Sequence, residues 1–347
     1  MIIKQTLFLT ILLSFFCDLA AEAQVLRFRP GRLRFDTQLQ YYNSKANFDF
    51  PGGSYTDLGT GKRYQLTRSH SNLIYDFSKN WSSAIGLTGG MAMSTDNVDT
   101  RTSSRLHRIE WRTRYLAYSK YFQLIPELNL SGSLFSISND VDEVFVDDDL
   151  NRIEIGSWFQ KSLWGFYNYL YLGYQSRNKD FSDLGQFKLG SFYRFNKYYF
   201  GLEFNGFNSM TDDKYVDARL NRTTITDRVN AGSLLHYAVN PSVLNAKAWA
   251  GLKASQNYMF KIGMEQAING ESYASGNTIW FQMEIRSLYQ SALPPTHSEE
   301  QETLKKEFVP STSGEDEKIE ELFLGEEVEI QLEKNRRGTD DDLQFDD

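Results

Sequence analysis

The 347-residue chain has one cysteine, Cys17, and it lies in the N-terminal stretch interpreted below as a secretory signal. A mature chain without cysteine cannot form disulfides, use a thiol nucleophile or hold a metal through thiolates. Histidine is also scarce, with four in the chain, and His107, His236 and His297 show no metal-ligand spacing. The sequence therefore predicts no cofactor and no metal site.

Long apolar runs are missing as well. The longest, TLFLTILLSFF at 6–16, has 11 residues and is too short to span a bilayer. Lys4 precedes it, and Ala21 and Ala23 follow as the small residues of a cleavage site, so we predict that residues 1–23 are a signal peptide. An exported chain without a membrane helix is periplasmic, secreted or an outer-membrane barrel.

Negative charge is concentrated at the C-terminal end. Residues 299–347 hold 18 acidic and six basic side chains, whereas the net charge of the whole chain is −8. The rest is therefore mildly basic. A strongly acidic segment buries too little apolar surface to offset the entropy of ordering, so we predict a disordered tail over 293–347. A periplasmic protein is a possible partner for this tail, whereas nucleic acid is not expected.

Between Leu33 and Tyr289 apolar and polar residues alternate with a period of two, as in a sheet with one polar and one apolar face. The alternating segments run 11–18 residues, whereas strands of soluble proteins usually run about 5–6. Short turns such as 78–80 alternate with long polar loops such as 50–61, and aromatic residues gather at segment ends. These three features favour a membrane barrel over a soluble sandwich.

We therefore predict that residues 24–292 form an all-β, transmembrane, antiparallel up-and-down barrel of about 12 strands. Segment 240–256 is ambiguous, because Asn240-Pro241 resembles a helix start although Leu244, Ala246 and Ala248 alternate as in a strand. A helix there leaves 12 strands, and a strand there favours 14. We choose the helix, with strands at 33–48, 62–77, 81–94, 105–118, 126–138, 152–163, 167–178, 185–195, 198–210, 222–239, 257–268 and 277–289.

Over about 260 residues this pattern resembles Gram-negative outer-membrane β-barrel proteins of the porin-like kind. The resemblance implies a location in the outer membrane, contact with outer-membrane lipid, and insertion by the barrel-assembly machinery. That machinery commonly reads a last strand with an aromatic end, which TIWFQMEIRSLY at 278–289 provides. The chain departs from the family in the 58 residues that follow Tyr289.

One face of several predicted strands carries charged side chains, most clearly in RLHRIEWRTRY at 105–115. A water-filled lumen with surplus arginine predicts a channel for small polar or anionic solutes. The alternative is a lumen filled by compensating ion pairs, in a non-conducting structural or interaction barrel with a partner-binding tail. The predicted lumen-lining residues are Arg34, Asp36, Arg68, His70, Arg108, Glu110, Arg112, Arg114, Glu284 and Arg286.

Two further motifs can be interpreted either as functional sites or as ordinary parts of the barrel wall and its loops. Outer-membrane phospholipases and lipid A deacylases place His and Ser two residues apart on a strand, but His70 and Ser71 are adjacent and point to opposite faces unless a bulge intervenes. We therefore predict no catalytic residue and no enzyme, with a hydrolase using His70 as the weakest alternative. Asp147, Asp149 and Asn151 have part of a calcium-loop spacing, but Arg152 stands where such a loop needs glycine, so we predict a solvated loop.

Overall fold

A computed structural model of the chain describes residues 28–137 and 142–290, and the predicted signal peptide and acidic tail lie outside them. The described part is one antiparallel sheet in which each wall strand pairs with the next, and β13 pairs back with β1 to close a barrel. Twelve strands form the wall. The fold class predicted from the sequence, a closed up-and-down barrel of 12 strands, is confirmed.

The wall strands run from 11 to 18 residues, which is long enough to cross a bilayer at a tilt. A further short strand, β2 (Tyr55–Asp57), pairs with the end of β1. The wall strands are β1 (Arg32–Phe48), β3 (Arg63–Asp76), β4 (Trp81–Thr95), β5 (Thr100–Tyr115), β6 (Gln123–Ser133), β7 (Arg152–Leu163), β8 (Phe166–Arg177), β9 (Leu184–Phe195), β10 (Tyr198–Ser209), β11 (Ser242–Lys253), β12 (Tyr258–Glu271) and β13 (Tyr273–Gln290).

The connections at the two ends of the barrel differ in length. At the turn end, Trp164 and Gly165 join β7 to β8 with φ values of 51° and 79°. Positive φ at both central residues belongs to a type I′ turn, whose twist matches that of the strands it joins. At the loop end, the longest connections are 49–62, 134–151 and 210–241. Because β1 begins and β13 ends at the turn end, the barrel has the arrangement that short periplasmic turns and long outer loops require.

One part of the predicted strand list is wrong. Segment 222–239 does not form a strand, since Leu220–Val229 is a helix (α1) followed by irregular backbone, and segment 240–256 holds β11 rather than a helix. Helix α1 buries Arg222, Thr226 and Val229, which share one helical face, and this packing overrides the strand preference of its β-branched residues. Pro241 directly precedes β11, where its missing N–H is not needed by the ladder. The two errors cancel in the strand count.

The outward face of the wall is apolar. Large apolar side chains are exposed at alternate positions of every hairpin, for example Ile85, Leu202 and Met264, with Leu202 65% exposed. At the turn end, exposed aromatic residues form a partial belt, and the Lys197 ammonium lies 5.5 Å from the ring centroid of Tyr198. An apolar band bordered by aromatic residues is the surface that a membrane barrel presents to lipid. Within the described ranges, no helix combines the length and apolarity needed to cross a bilayer.

Two of the long loop-end connections fold into the mouth of the barrel. We call residues 142–150 and 210–241 the plug. Val144 and Val146 of the first segment are almost completely buried and pack against Tyr64, Leu66 and Ala92, which lie on the inward face of β3 and β4. The plug therefore occupies lumen space rather than extending into solvent.

Candidate functional site

The structure places all ten predicted lumen residues on the inward face of the wall. Chain neighbours of these residues, such as Ile109, Trp111 and Tyr115, are exposed on the outside. The ten do not form one cluster. They divide between an inner half near the turn end and an outer half that contacts the plug, and the two halves differ in how their charges are balanced.

In the inner half, each of three carboxylates has an arginine partner. Arg34 Nη2 lies 2.8 Å from Asp76 Oδ1, and Arg286 Nε lies 3.3 Å from Glu284 Oε1. Arg114 pairs with Glu127, which also accepts a hydrogen bond from the Trp158 indole at 3.1 Å. These pairs support the interpretation of the lumen as a network of compensating charges.

A β-bulge in β5 changes which residues face the plug. The pairing of β4 with β5 shifts between Thr88 and Gly89, which leaves one extra residue, His107, on β5. A bulge of this kind lets two consecutive side chains point to the same side. His107 and Arg108 are accordingly both buried and inward. Strict alternation puts His107 on the lipid face, and no local signal in the sequence marks the bulge.

Both residues of the bulge bind Asp147 of the plug. Asp147 Oδ2 accepts hydrogen bonds from Arg108 Nη2 at 2.5 Å, Arg108 Nε at 2.8 Å and His107 Nδ1 at 3.0 Å. Arg152 Nη2 lies 3.2 Å from Asp147 Oδ1. Burial by itself would raise the pKa of Asp147, but Arg152, His107 and Arg108 outweigh burial and hold this pKa well below its usual range. Asp147 is therefore a charged anchor of the plug.

The prediction of a solvated loop at this position is wrong. Asp147 and Asp149 are each only 3% exposed, because they pair with cationic side chains of the barrel and its loops rather than with water. Asp149 pairs with Lys179, and Asn151 Oδ1 accepts from the backbone N–H of Ser133. The partial calcium-loop spacing thus provides ion pairs. In the described part of the chain, no group of three or more His, Cys, Asp or Glu side chains could hold a metal ion.

The second plug segment is organised around Arg222 of α1, which is 2% exposed. Its Nη1 donates to Asp213 Oδ2 at 2.5 Å, and its guanidinium lies 3.5 Å from the ring centroid of Phe181. Burial lowers the pKa of Arg222, while Asp213 opposes this change. The Asp213 carboxylate and the face of the Phe181 ring compensate the buried charge of Arg222. These contacts fix α1 against the loop that contains Phe181.

The two plug segments are joined to each other and to the wall. The Phe145 backbone N–H donates to Asn230 Oδ1 at 3.0 Å, and Tyr64 donates its hydroxyl to the Phe145 carbonyl at 2.5 Å. His236 is 6% exposed, and its Nε2 has no hydrogen-bond partner among the described residues. Burial lowers the pKa of His236 to about 3, although the nearby Asp147 acts in the opposite direction. His236 is therefore neutral in the docked plug.

A polar cavity of about 470 Å³ lies beneath the plug, and we call it the chamber. Its lining comes from eleven of the twelve wall strands and from both plug segments, so it extends across the lumen. The predicted lumen residues Arg68 and Glu110 line it, together with Arg152, Arg177, Glu154 and Glu265, which were not among the predicted lumen residues. The chamber is thus a mixed-charge compartment, closed on its outer side by the plug.

Aromatic rings lie flat against the wall below the chamber where the facing residues are glycine. A Cβ atom built at Gly156 or at Gly173 would overlap the ring of Tyr171, whose hydroxyl binds Glu154. The ring centroids of Tyr171 and Trp158 are 4.7 Å apart. Glycine on the inward face therefore keeps these large side chains against the wall and out of the lumen axis.

His70 and Ser71 do not come together. Both neighbours of β3 pair with residues 69–72 without a register shift, so His70 faces the lumen and the Ser71 hydroxyl bonds to Thr37 on the outer face. Asn72 Nδ2 lies 2.8 Å from His70 Nε2, and Thr88 Oγ1 lies 2.8 Å from His70 Nδ1. Because Asn72 is the donor, Nε2 accepts and Nδ1 carries the proton. His70 is thus held in a polar chain without a serine nucleophile.

A closed antiparallel barrel with an apolar outer band and a polar lumen defines an outer-membrane β-barrel protein, as the sequence pattern predicted. Comparison with solved structures agrees. An outer membrane channel from Pseudomonas putida F1 is similar with a TM-score of 0.56 at 10% identity, over 77% of this chain and 98% of that chain. At this identity the likeness shows the fold alone.

Two other solved barrels are less similar. The translocator domain of the autotransporter NalP from Neisseria meningitidis gives a TM-score of 0.43 at 11% identity, over 74% of this chain and 89% of that chain. The NanC porin gives 0.42 at 7% identity, over 72% and 98%. No protein-family model and no curated protein matches the chain.

Proposed function

We propose that the protein is an outer-membrane channel for small polar solutes, and that the plug closes its outer mouth in this structure. The observation that carries the proposal is the chamber, a polar compartment across the lumen that is separated from the loop end by a plug held through a few buried ion pairs. A merely structural barrel does not need a polar cavity of about 470 Å³ behind a charged anchor.

A weak preference for anions is part of the proposal, and its basis is the inner half of the lumen. Asp76, Glu127 and Glu284 are all paired there. Arg112 and Lys261, in contrast, have no ion partner within 4 Å among the described residues. The carboxylate of Asp36 interacts with both at longer range and partly offsets them. The excess is small because most lumen arginines are neutralised, so the proposed selectivity is weak.

Planar-bilayer recording tests the proposal. We expect purified protein to conduct in brief openings, and a variant with a released plug, Asp147→Asn, to stay open. In a salt gradient the reversal potential of the open variant should have the sign of anion preference, and Arg112→Gln should move it towards zero. Correctly folded Asp147→Asn protein without channel events would exclude a channel.

The second candidate is a non-conducting structural or interaction barrel, which the paired inner charges and the docked plug favour. In this alternative the acidic segment 293–347, which lies outside the described residues, would bind a periplasmic partner. We propose no enzymatic activity in either case, because the His70 ring accepts from Asn72 and donates to Thr88, which leaves neither nitrogen available to take a proton from a hydroxyl.

A further inference from the structure

The charges on the wall strands that face the chamber alternate in sign around the barrel. Asp147 and Asp148 of the plug also line the chamber, and they are paired with Arg108 and Arg152. Arg68 on β3 is followed by Glu110 on β5, by Arg152 and Glu154 on β7, by Arg177 on β8 and by Glu265 on β12. A compartment with one dominant sign would attract ions of the opposite sign. Alternation instead favours a solute that carries both signs at a fixed separation.

Several of these charges have no ionic partner of their own. Within the described residues, Arg68, Arg177, Glu110 and Glu265 form no ion pair within 4 Å. Arg152, in contrast, is used by Asp147 and Asp148. The chamber wall therefore combines two guanidinium groups and two carboxylates that have no ionic partner, although Glu265 also shares a hydrogen bond with Asn205.

Arg68 is the cation best placed to meet a solute. Its polar contact in the described part of the chain is the Val146 carbonyl at 3.5 Å, and its buried Nε has no hydrogen-bond partner there. Arg177, in contrast, uses its guanidinium on Ser182, with distances of 2.6 and 2.7 Å. An arginine left with unused donors at a cavity is a ready partner for a carboxylate.

On the β1 side of Arg68, the nearest chamber carboxylate without an ionic partner is Glu265. The strand register sets the distance between the two residues. Glu265 pairs with Thr278, Thr278 with Tyr42, and Tyr42 with Leu66, so Glu265 is three strands from β3 and one inward position from Arg68. Three strand spacings correspond to roughly 14 Å between backbones. Both side chains line the chamber, and a backbone span of this size, shortened by the two side chains, corresponds to two or three amino-acid residues at roughly 3.5 Å each.

We propose that the chamber binds a small zwitterionic solute of the short-peptide class, with its carboxylate at Arg68 and its ammonium group at Glu265. The inference deepens the proposed channel function by naming the solute class that the lumen selects. A cavity of about 470 Å³ lies within the range of roughly 300–1,000 Å³ that is usual for small-molecule sites.

Calorimetric titration of the full-length protein in lipid nanodiscs tests this inference with four related probes. Trialanine carries both charges, N-acetyl-trialanine only the negative one, trialanine amide only the positive one, and N-acetyl-trialanine amide neither. We expect trialanine to bind, the neutral probe to bind at least tenfold more weakly, and each singly charged probe to lie between them. Arg68→Gln and Glu265→Gln should each weaken trialanine binding at least tenfold.

Glu284→Gln is the matched control, since Glu284 is a lumen carboxylate outside the chamber lining, and it should change trialanine binding less than twofold. Heat-modifiable gel migration of each variant shows that its barrel has folded. Absence of trialanine binding, equal binding of the neutral probe, or equal binding of N-acetyl-trialanine would overturn the inference. The conductance of the same preparations distinguishes the two proposals. If the barrel conducts potassium chloride but does not bind trialanine, the proposed solute binding in the chamber is refuted and the proposed channel function is not.

Discussion

Replacing Asp147 with asparagine should release the plug. The carboxylate carries the charge that compensates Arg108 and Arg152 in a buried position, and His107 also donates to it. Removing one partner of a buried ion pair typically costs about 3–5 kcal/mol, because the remaining charges lose their compensation. This energy corresponds to a change of roughly 10²–10⁴-fold in the ratio of docked to undocked plug.

Cysteine labelling measures that ratio directly, because the predicted mature chain has no cysteine of its own. Val144 is 2% exposed in the docked plug, so Val144→Cys should react slowly with a maleimide. Adding Asp147→Asn should increase the labelling rate at least 100-fold and raise the open probability in planar bilayers. Asp57→Asn makes the same chemical change at an exposed loop-end carboxylate and should leave both quantities unchanged.

The double variant could instead react with the maleimide at the same rate as Val144→Cys alone. With the barrel intact, that result would refute the assignment of Asp147 as the anchor. Faster labelling without any change in conductance would support the role of Asp147 as the anchor of the plug, but it would contradict the proposal that the plug gates a channel.

Three further predictions concern other parts of the barrel. His236 has a folded pKa of about 3, below the unfolded value of roughly 6.5, so its contribution to plug stability is complete above pH ~6.5 and falls on acidification, by about 2 kcal/mol at pH 5. Because maleimide reacts with the thiolate, the Val144→Cys labelling rate is divided by that of an exposed reference, Asp57→Cys, at the same pH. This ratio should rise between pH 7 and 5, and His236→Phe should remove the rise. Gly156→Val should destabilise the barrel by about 1–3 kcal/mol in urea because the added side chain meets the Tyr171 ring, and Tyr171→Ala in the same chain should recover part of the loss, whereas an additive effect would contradict this packing. Leu202→Arg on the outward face of β10 should cost about 2–4 kcal/mol in lipid vesicles, and a neutral effect would contradict contact with lipid.

The barrel itself was predictable because its strands obey a simple rule. Wherever one face meets lipid and the other the lumen, side-chain polarity alternates, as from Leu33 to Tyr41 in β1. The inward ladder Arg108, Glu110, Arg112 and Arg114 follows from the same rule, since all four lie on one side of the bulge.

The rest depended on contacts that local patterns do not contain. The bulge at His107 matches the position of Asp147, 40 residues away, and neither residue reveals the other in the sequence. Helix α1 contains Thr223, Thr224 and Ile225, whose preference for strands was overridden by packing around Arg222. The acidic residues of 147–149 predicted a solvated loop, because their cationic partners lie on other elements of the structure and do not mark the loop in the sequence. The chamber was missed for the same reason, since it needs the plug as its roof.

The position of the second plug segment has a consequence for assembly. Asn47 near the end of β1 donates to the Gly232 carbonyl at 2.8 Å and accepts from the Leu234 N–H at 3.0 Å, over separations of 185 and 187 residues. Arg219 donates to Ser272, between β12 and β13, at 2.7 Å. The segment therefore bridges the seam where the last hairpin meets the first strand, and its contacts on the two sides can be made together only once that seam has closed. Contacts between residues so far apart in sequence form only after a large loop-closure entropy has been overcome. The residues that close the mouth of the barrel therefore also stabilise the closed barrel.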